Sequence, residues 1–266
     1  MDDAAQAAPD SPVILGVSLK LYMSVEQTTR WAREVADSTR SVPAVRDGAV
    51  QLFVLPSLPA VPATAEILRG TPIRWGAQDL DAVDRGARTG AISGSDLAEI
   101  GCTLVEVGHA ERRQLYGETD ELVAAKLQAA LRNRLVPVLC IGEELQGPTE
   151  DAVAACTRQL EVSLALTDAA ACTGEIIIAY EPVWAIGRPD PAPAAHVSVV
   201  TATLREWLTA RAPRATVRVI YGGSAQPGVL RALGSSVDGL FLGRFAHDPA
   251  SLLNMIEEAA GGMERR

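Results

Sequence analysis

Short apolar, β-branched runs alternate with longer segments of helical periodicity from one end of the chain to the other, the pattern of repeated β/α units. Eight such runs stand out, at 13–20, 50–55, 73–78, 104–109, 137–142, 176–182, 217–222 and 239–243. Each is nearly continuous in apolar residues, as strands covered on both faces are. Between them, the segments 25–38, 119–134, 194–211 and 249–260 read as helices; in the second, Leu122, Val123, Leu127, Ala130 and Leu131 are placed on one stripe. No Pro/Gly/Ser-rich linker interrupts the alternation. Eight parallel strands without a break predict a single-domain α/β protein, a (β/α)8 barrel over residues 12–260. The flanks, 1–11 and 261–266, read as a disordered or extended amino-terminal tail and a carboxyl-terminal tail. An open doubly wound sheet is the alternative, and the missing GxGxxG after the first strand weakens it.

Composition narrows the function classes. Of 266 residues, 48% are hydrophobic and 21% charged, enough apolar material for a filled core, so disorder is excluded as the main state. The 24 Lys+Arg against 33 Asp+Glu give a net charge of −9, which argues against a nucleic-acid partner. An anionic substrate must then be held by local charges and amides against the overall field. Residues 1–11 lack a basic flank followed by an apolar core, and no later stretch approaches a membrane span, so the expectation is a cytoplasmic protein with no membrane partner. Cys102, Cys140, Cys156 and Cys172 form no CxxC pair and read as small packed residues; with three histidines, no metal site is expected.

In a barrel the carboxyl ends of the strands meet at one face, where active sites form. The polar residues at those ends are Lys20, Gln78, His109, Glu143, Glu181, Ser224 and Arg244. Glu181 follows an apolar strand and precedes an apolar loop, which desolvates a carboxylate and makes it a stronger base; a Glu that caps a strand end by hydrogen bonds is the competing reading. His109 lies where a strand ends and a helix begins, a place that favours neutral imidazole, although a structural histidine is common there. Lys20 is one of two lysines in a chain that otherwise uses arginine, which suits a compact ammonium. Gly222, Gly223, Ser224 and Gly243 follow the last two strands, where barrels bind phosphate, although turns need glycines too. A base, a neutral electrophile, a cation and a phosphate cradle together suit proton abstraction beside a carbonyl, with no cofactor.

Several ordered motifs then carry a resemblance: Trp75-Gly-Ala-Gln78, Gly86-Ala-Arg-Thr-Gly-Ala-Ile-Ser93, Gly108-His-Ala-Glu-Arg-Arg113, Tyr116-Gly-Glu-Thr-Asp-Glu121, Cys140-Ile-Gly-Glu143, Ala179-Tyr-Glu-Pro-Val-Trp-Ala-Ile-Gly187 and Tyr221-Gly-Gly-Ser224. Over nearly its full length the chain resembles triosephosphate isomerase. The resemblance implies a homodimeric barrel with Glu181 as base, His109 as neutral electrophile and Lys20 as stabilising cation. It also implies that Gly187, Ser224 and Gly243 bind phosphate, that Glu111 pairs with Lys20, that residues 182–192 form a closing lid, and that Thr89 enters the partner subunit.

The departures from that family pattern are as informative. Ser18 stands where the family has a substrate-contacting Asn, which leaves room for a longer substrate. Pro189 replaces a flexible lid glycine, Arg244 replaces a glycine beside the phosphate, and Ala110 replaces a serine. Ser18, Arg244 and the stretch Val105-Glu-Val-Gly-His109 resemble the branch that interconverts L-erythrulose 1-phosphate and D-erythrulose 4-phosphate. The expected substrate is accordingly a small phosphorylated ketose, this tetrulose phosphate being favoured. Triosephosphate isomerase proper and a catalytically silent sugar-phosphate-binding barrel are the alternatives. Trp31 and Trp207 read as core or interface residues, His196 as a surface or packing residue, His247 as near the mouth without a role, and Arg112 and Arg113 as a solvated or ion-paired face, which the resemblance makes structural and interfacial.

Overall fold

A computed structural model describes residues 11–263, so residues 1–10 and 264–266 of the two tails lie outside the described part. Eight parallel strands, β1 (Val13–Ser18), β2 (Val50–Leu55), β3 (Arg74–Ala77), β4 (Leu104–Val107), β5 (Val136–Ile141), β6 (Glu175–Tyr180), β7 (Thr216–Tyr221) and β8 (Gly239–Leu242), close in sequence order into a barrel. The seam pairs Ile14 with Gly239 and Val17 with Leu242. Around it run α1 (Val25–Thr39), α2 (Pro43–Arg46), α3 (Val61–Leu68), α4 (Gly94–Glu99), α5 (Ala110–Tyr116), α6 (Asp120–Arg132), α7 (Thr149–Leu164), α8 (Ala194–Arg211), α9 (Val229–Leu233) and α10 (Pro249–Met263). The fold is the (β/α)8 barrel that the alternation predicts.

Alternate residues of each strand point inward. Ile14, Phe53, Leu55, Leu104, Val138, Cys140, Ile177, Ala179, Ile220 and Phe241 fill the barrel, while a larger shell of apolar residues seals strands to helices. Gly16 is required by this packing: a Cβ there would stand 2.1 Å from the Phe53 ring. Local signals set the helix ends. Ser24 and Gln27 form a capping box at the start of α1, and Thr119 caps α6 by accepting the Leu122 N–H.

β1, β3, β4, β6 and β8 are shorter than the apolar runs, because the last residues of those runs leave the ladder to form the mouth. In α6 the stripe is centred on Val123, Leu127 and Ala130, and Leu122 is 40% exposed, one helical step off that face. Lys126 is buried there instead, held by Asp79 and Glu118. The last helix runs on through Met263, past the end at Ala260 that the pattern suggested. Trp31 is buried, its indole N–H bonded to the Ala246 carbonyl. Of the cysteines, Cys102, Cys140 and Cys156 are buried, but Cys172 is half-buried. Among the described residues no helix is long and apolar enough to cross a membrane, and no cluster of His, Cys, Asp and Glu is arranged to hold a metal.

Candidate active site

Ser18 closes β1, and two residues on Lys20 adopts a left-handed backbone at φ 47°, a costly conformation for a side-chain-bearing residue. Gln78 holds that turn, its amide donating to the carbonyls of Lys20 (3.1 Å) and Leu55 (2.9 Å). The turn delivers the Lys20 ammonium 2.7 Å from Glu111 Oε1. Burial opposes the Lys20 charge, but the bond to Glu111 and the charges of Glu111, Glu181 and Glu106 outweigh it and hold the ammonium above its ordinary value.

His109 is the N-cap of α5, and its Nδ1 accepts the Glu111 backbone N–H at 3.1 Å. A neutral imidazole has one acceptor and one donor nitrogen, so a proton-free Nδ1 leaves the hydrogen on Nε2, aimed into the mouth. Burial, and then the nearby Lys20 charge, lower the His109 pKa to about 4, so the ring is neutral at physiological pH.

Glu181 comes directly after β6 and is 5% exposed. A Cβ at Gly222 would lie 2.7 Å from its Cγ, so only glycine leaves this carboxylate its place. Glu181 Oε2 lies 3.6 Å from His109 Nε2 and has no hydrogen-bond partner. Burial first, and the charge of Glu106 second, raise its pKa to about 8. This is the arrangement of a proton acceptor kept basic by dryness beside a fixed N–H donor.

The opposite wall of the mouth carries a cradle. Gly187 (φ 70°), Ser224 (φ 43°), Gly243 and Arg244 line a cavity of about 420 Å³ together with Ser18, Lys20, His109 and Glu181. The loop that follows Glu181 is pinned over it: the Ala192 N–H donates to the Tyr221 hydroxyl at 2.9 Å, Gln226 donates to the Pro189 carbonyl at 3.1 Å, and the Ser224 hydroxyl donates to the Arg188 carbonyl. The Ser224 hydroxyl is thus engaged with that loop. Arg244 is exposed, its guanidinium 5.6 Å from the centre of the Tyr22 ring.

The sequence of triosephosphate isomerase as a family matches residues 13–259 of the chain. The chain belongs to the triosephosphate isomerase family. It is an isomerase of that family, and its curated relatives include the L-erythrulose-1-phosphate isomerase of Pectobacterium atrosepticum, 47% identical over 92% of this chain and 95% of that protein. The enzyme of the same name from Rhizobium etli is 39% identical over 95% and 94%. The triosephosphate isomerase of Rhodopirellula baltica is 37% identical over 87% and 91%.

The fold therefore gathers Lys20, His109, Glu181, Ser18, Glu111, Gly187, Ser224, Gly243 and Arg244 around one mouth. It does not bring Thr89 there: that residue is exposed in the 86–90 turn. His247 leans on the Tyr22 ring at 5.3 Å. Arg112 pairs with Asp79 and Glu118, and Arg113 with Asp120. Glu106 is the residue whose place the motifs did not disclose. It is 3% exposed, accepts the Ser18 hydroxyl at 2.9 Å and stands 3.9 Å from His109 Nε2. The available signal is register: Glu106 is two residues after inward-facing Leu104, so a charge in an otherwise apolar strand falls inside the barrel.

Proposed function

We propose that this family member is a cofactor-independent isomerase of a short phosphorylated ketose, converting L-erythrulose 1-phosphate to D-erythrulose 4-phosphate. The observation that carries the chemistry is the buried Glu181 carboxylate, without a hydrogen-bond partner on Oε2 and 3.6 Å from the donor nitrogen of His109. Similarity to the two L-erythrulose-1-phosphate isomerases supports the four-carbon substrate. Glu181 takes the proton from C3, the electrons of the broken C–H bond form the C2=C3 bond, and the C2 carbonyl electrons move to O2. His109 Nε2–H and the Lys20 ammonium stabilise that oxygen. A proton passes from O3 to O2, Glu181 returns its proton to C2, and the carbonyl reforms at C3. Numbered from its other end, the product is D-erythrulose 4-phosphate, and no atom is gained or lost. Gly187, Ser224, Gly243 and Arg244 hold the phosphate, and Glu111 positions Lys20.

The same reading places the enzyme in a homodimer. A second hollow of about 510 Å³ opens beside the first and is rimmed by Leu21, Tyr22, Leu115 and Tyr116, all exposed apolar surface. A second copy covers this rim, with Thr89 of its 86–90 turn entering the hollow; light scattering of the purified protein tests the pairing. The substrate is tested by kcat/KM for L-erythrulose 1-phosphate and dihydroxyacetone phosphate side by side, with Glu181→Gln as background. A hundredfold preference, roughly 2.7 kcal/mol, assigns it. Preference for dihydroxyacetone phosphate makes the chain a triosephosphate isomerase proper, and no turnover of either makes it a silent binding barrel.

A further inference from the structure

The proton transfers above leave the buried Glu106 at the mouth without a task. Glu106 sits among Leu104, Val138 and Cys140 on the inner wall of the barrel, where a carboxyl group is costly unless its oxygens are served. Its two oxygens are served unequally. Oε2 accepts the Ser18 hydroxyl at 2.9 Å, whereas Oε1 has a weak thiol contact from Cys140 at 3.9 Å and lies 3.9 Å from His109 Nε2. The fold thus holds a nearly solvent-free acceptor, with capacity to spare, beside the imidazole that faces the reacting oxygens.

Its position along the substrate follows from the cavities. The phosphate cradle of Gly187, Ser224, Gly243 and Arg244 lines the first cavity only, and Glu106 lines the second only. The two meet along Ser18, Lys20, Tyr22, His109 and Glu111. A ketose phosphate anchored in the cradle, with its reacting carbons at Glu181 and His109, therefore points its far end toward Ser18 and Glu106.

We infer that Glu106, held by Ser18, is the specificity-determining residue: its Oε1 accepts the hydrogen bond of the hydroxyl on the terminal carbon that a four-carbon ketose phosphate has and a three-carbon one lacks. This rests on the substrate reading of the preceding subsection. A site built to bond a substrate hydroxyl discriminates strongly against the analogue without it, because the buried acceptor is then left unpaired in the closed complex. A hydrophobic wall that merely offered space for the extra carbon would discriminate weakly. Ser18 contributes by its small size and by fixing the carboxyl plane.

The test is kcat/KM on both substrates for wild type, Glu106→Gln and Glu106→Leu. Glu106→Leu removes the acceptor at similar volume, and the ratio of tetrulose to triose efficiency is expected to fall about a hundredfold. Glu106→Gln keeps an acceptor oxygen and an isosteric shape, and its ratio should fall between the other two. Folding damage lowers both efficiencies together and leaves the ratio in place, so equal losses on the two substrates in both variants would overturn the assignment. A wild type that prefers dihydroxyacetone phosphate overturns the substrate reading and this assignment with it. A wild type that prefers the tetrulose, with a ratio indifferent to residue 106, overturns this assignment alone.

Discussion

Glu143 and Glu181 stand at the ends of neighbouring strands, β5 and β6, and both are buried, at 7% and 5% exposure. Their surroundings are opposite. Glu143 accepts from the Trp184 indole at 2.7 Å and from the Tyr180 hydroxyl at 3.1 and 3.2 Å, and its Oε1 is 3.2 Å from His196 Nε2. His196 in turn reaches Thr149 at 3.0 Å through Nδ1. Glu181 has an oxygen with no such partner and an imidazole nitrogen nearby. A buried carboxylate with its lone pairs occupied is a clamp, here tying Trp184 of the loop after β6 to the barrel. One kept short of donors retains its appetite for a proton.

Substitution should separate the two roles. Glu181→Gln is expected to lower kcat roughly a thousandfold while leaving the midpoint of urea unfolding at pH 5, where the buried carboxyl is protonated in the folded state, near that of wild type, as paired kinetic and unfolding curves will show. Glu143→Ala should do the reverse in kind: stranding the Trp184, Tyr180 and His196 donors costs about 3 kcal/mol of stability, read as a fall in urea midpoint. Activity should suffer less than in Glu181→Gln. Tyr221→Phe removes the hydroxyl that receives the Ala192 N–H, freeing one end of the loop that follows Glu181; kcat/KM should drop about tenfold with little change in Tm.

The smallest effect is a pH dependence of stability. The Glu181 pKa rises from about 4.5 to about 8 by burial and by the charge of Glu106, so in that window the folded state binds more protons than the unfolded one. Stability contributed by this group is therefore present at low pH and falls as pH rises from about 4.5 through about 8. Glu181→Gln removes the dependence, and its Tm advantage over wild type should widen between pH 5 and pH 8. A gap that stays constant would mean the carboxyl is better solvated than its burial implies.

The contrast also marks how far the residues could be read unaided. Glu181 and Glu143 both follow apolar strands, and the competing reading of Glu181, a carboxylate that caps a strand end by hydrogen bonds, describes Glu143. Motif resemblance singled out Glu181 as base. Position in the chain did not, because donors to a buried carboxylate come from distant segments, such as His196, 53 residues away. The sequence leaves His196 either at the surface or in packing, and in the structure it is a packing residue with both ring nitrogens engaged. Arg112 and Arg113, which the sequence leaves solvated or ion-paired, are ion-paired, to partners Asp79, Glu118 and Asp120 that the sequence does not name.

What the sequence by itself determined is the barrel. Apolar periodicity, caps and turn residues act over a few positions, and eight repeats of one local unit leave little freedom in how they close. The polar residues at strand ends marked the mouth for the same reason, since every parallel strand delivers its last residue to the same face. Only the tertiary structure decided which carboxylates are satisfied, that the Lys20 turn is held by Gln78, that Ser224 is tied to the Arg188 carbonyl, and that Glu106 lies against Ser18 and His109. Those depend on contacts between elements tens of residues apart and on which side chains are kept from water, quantities set by packing.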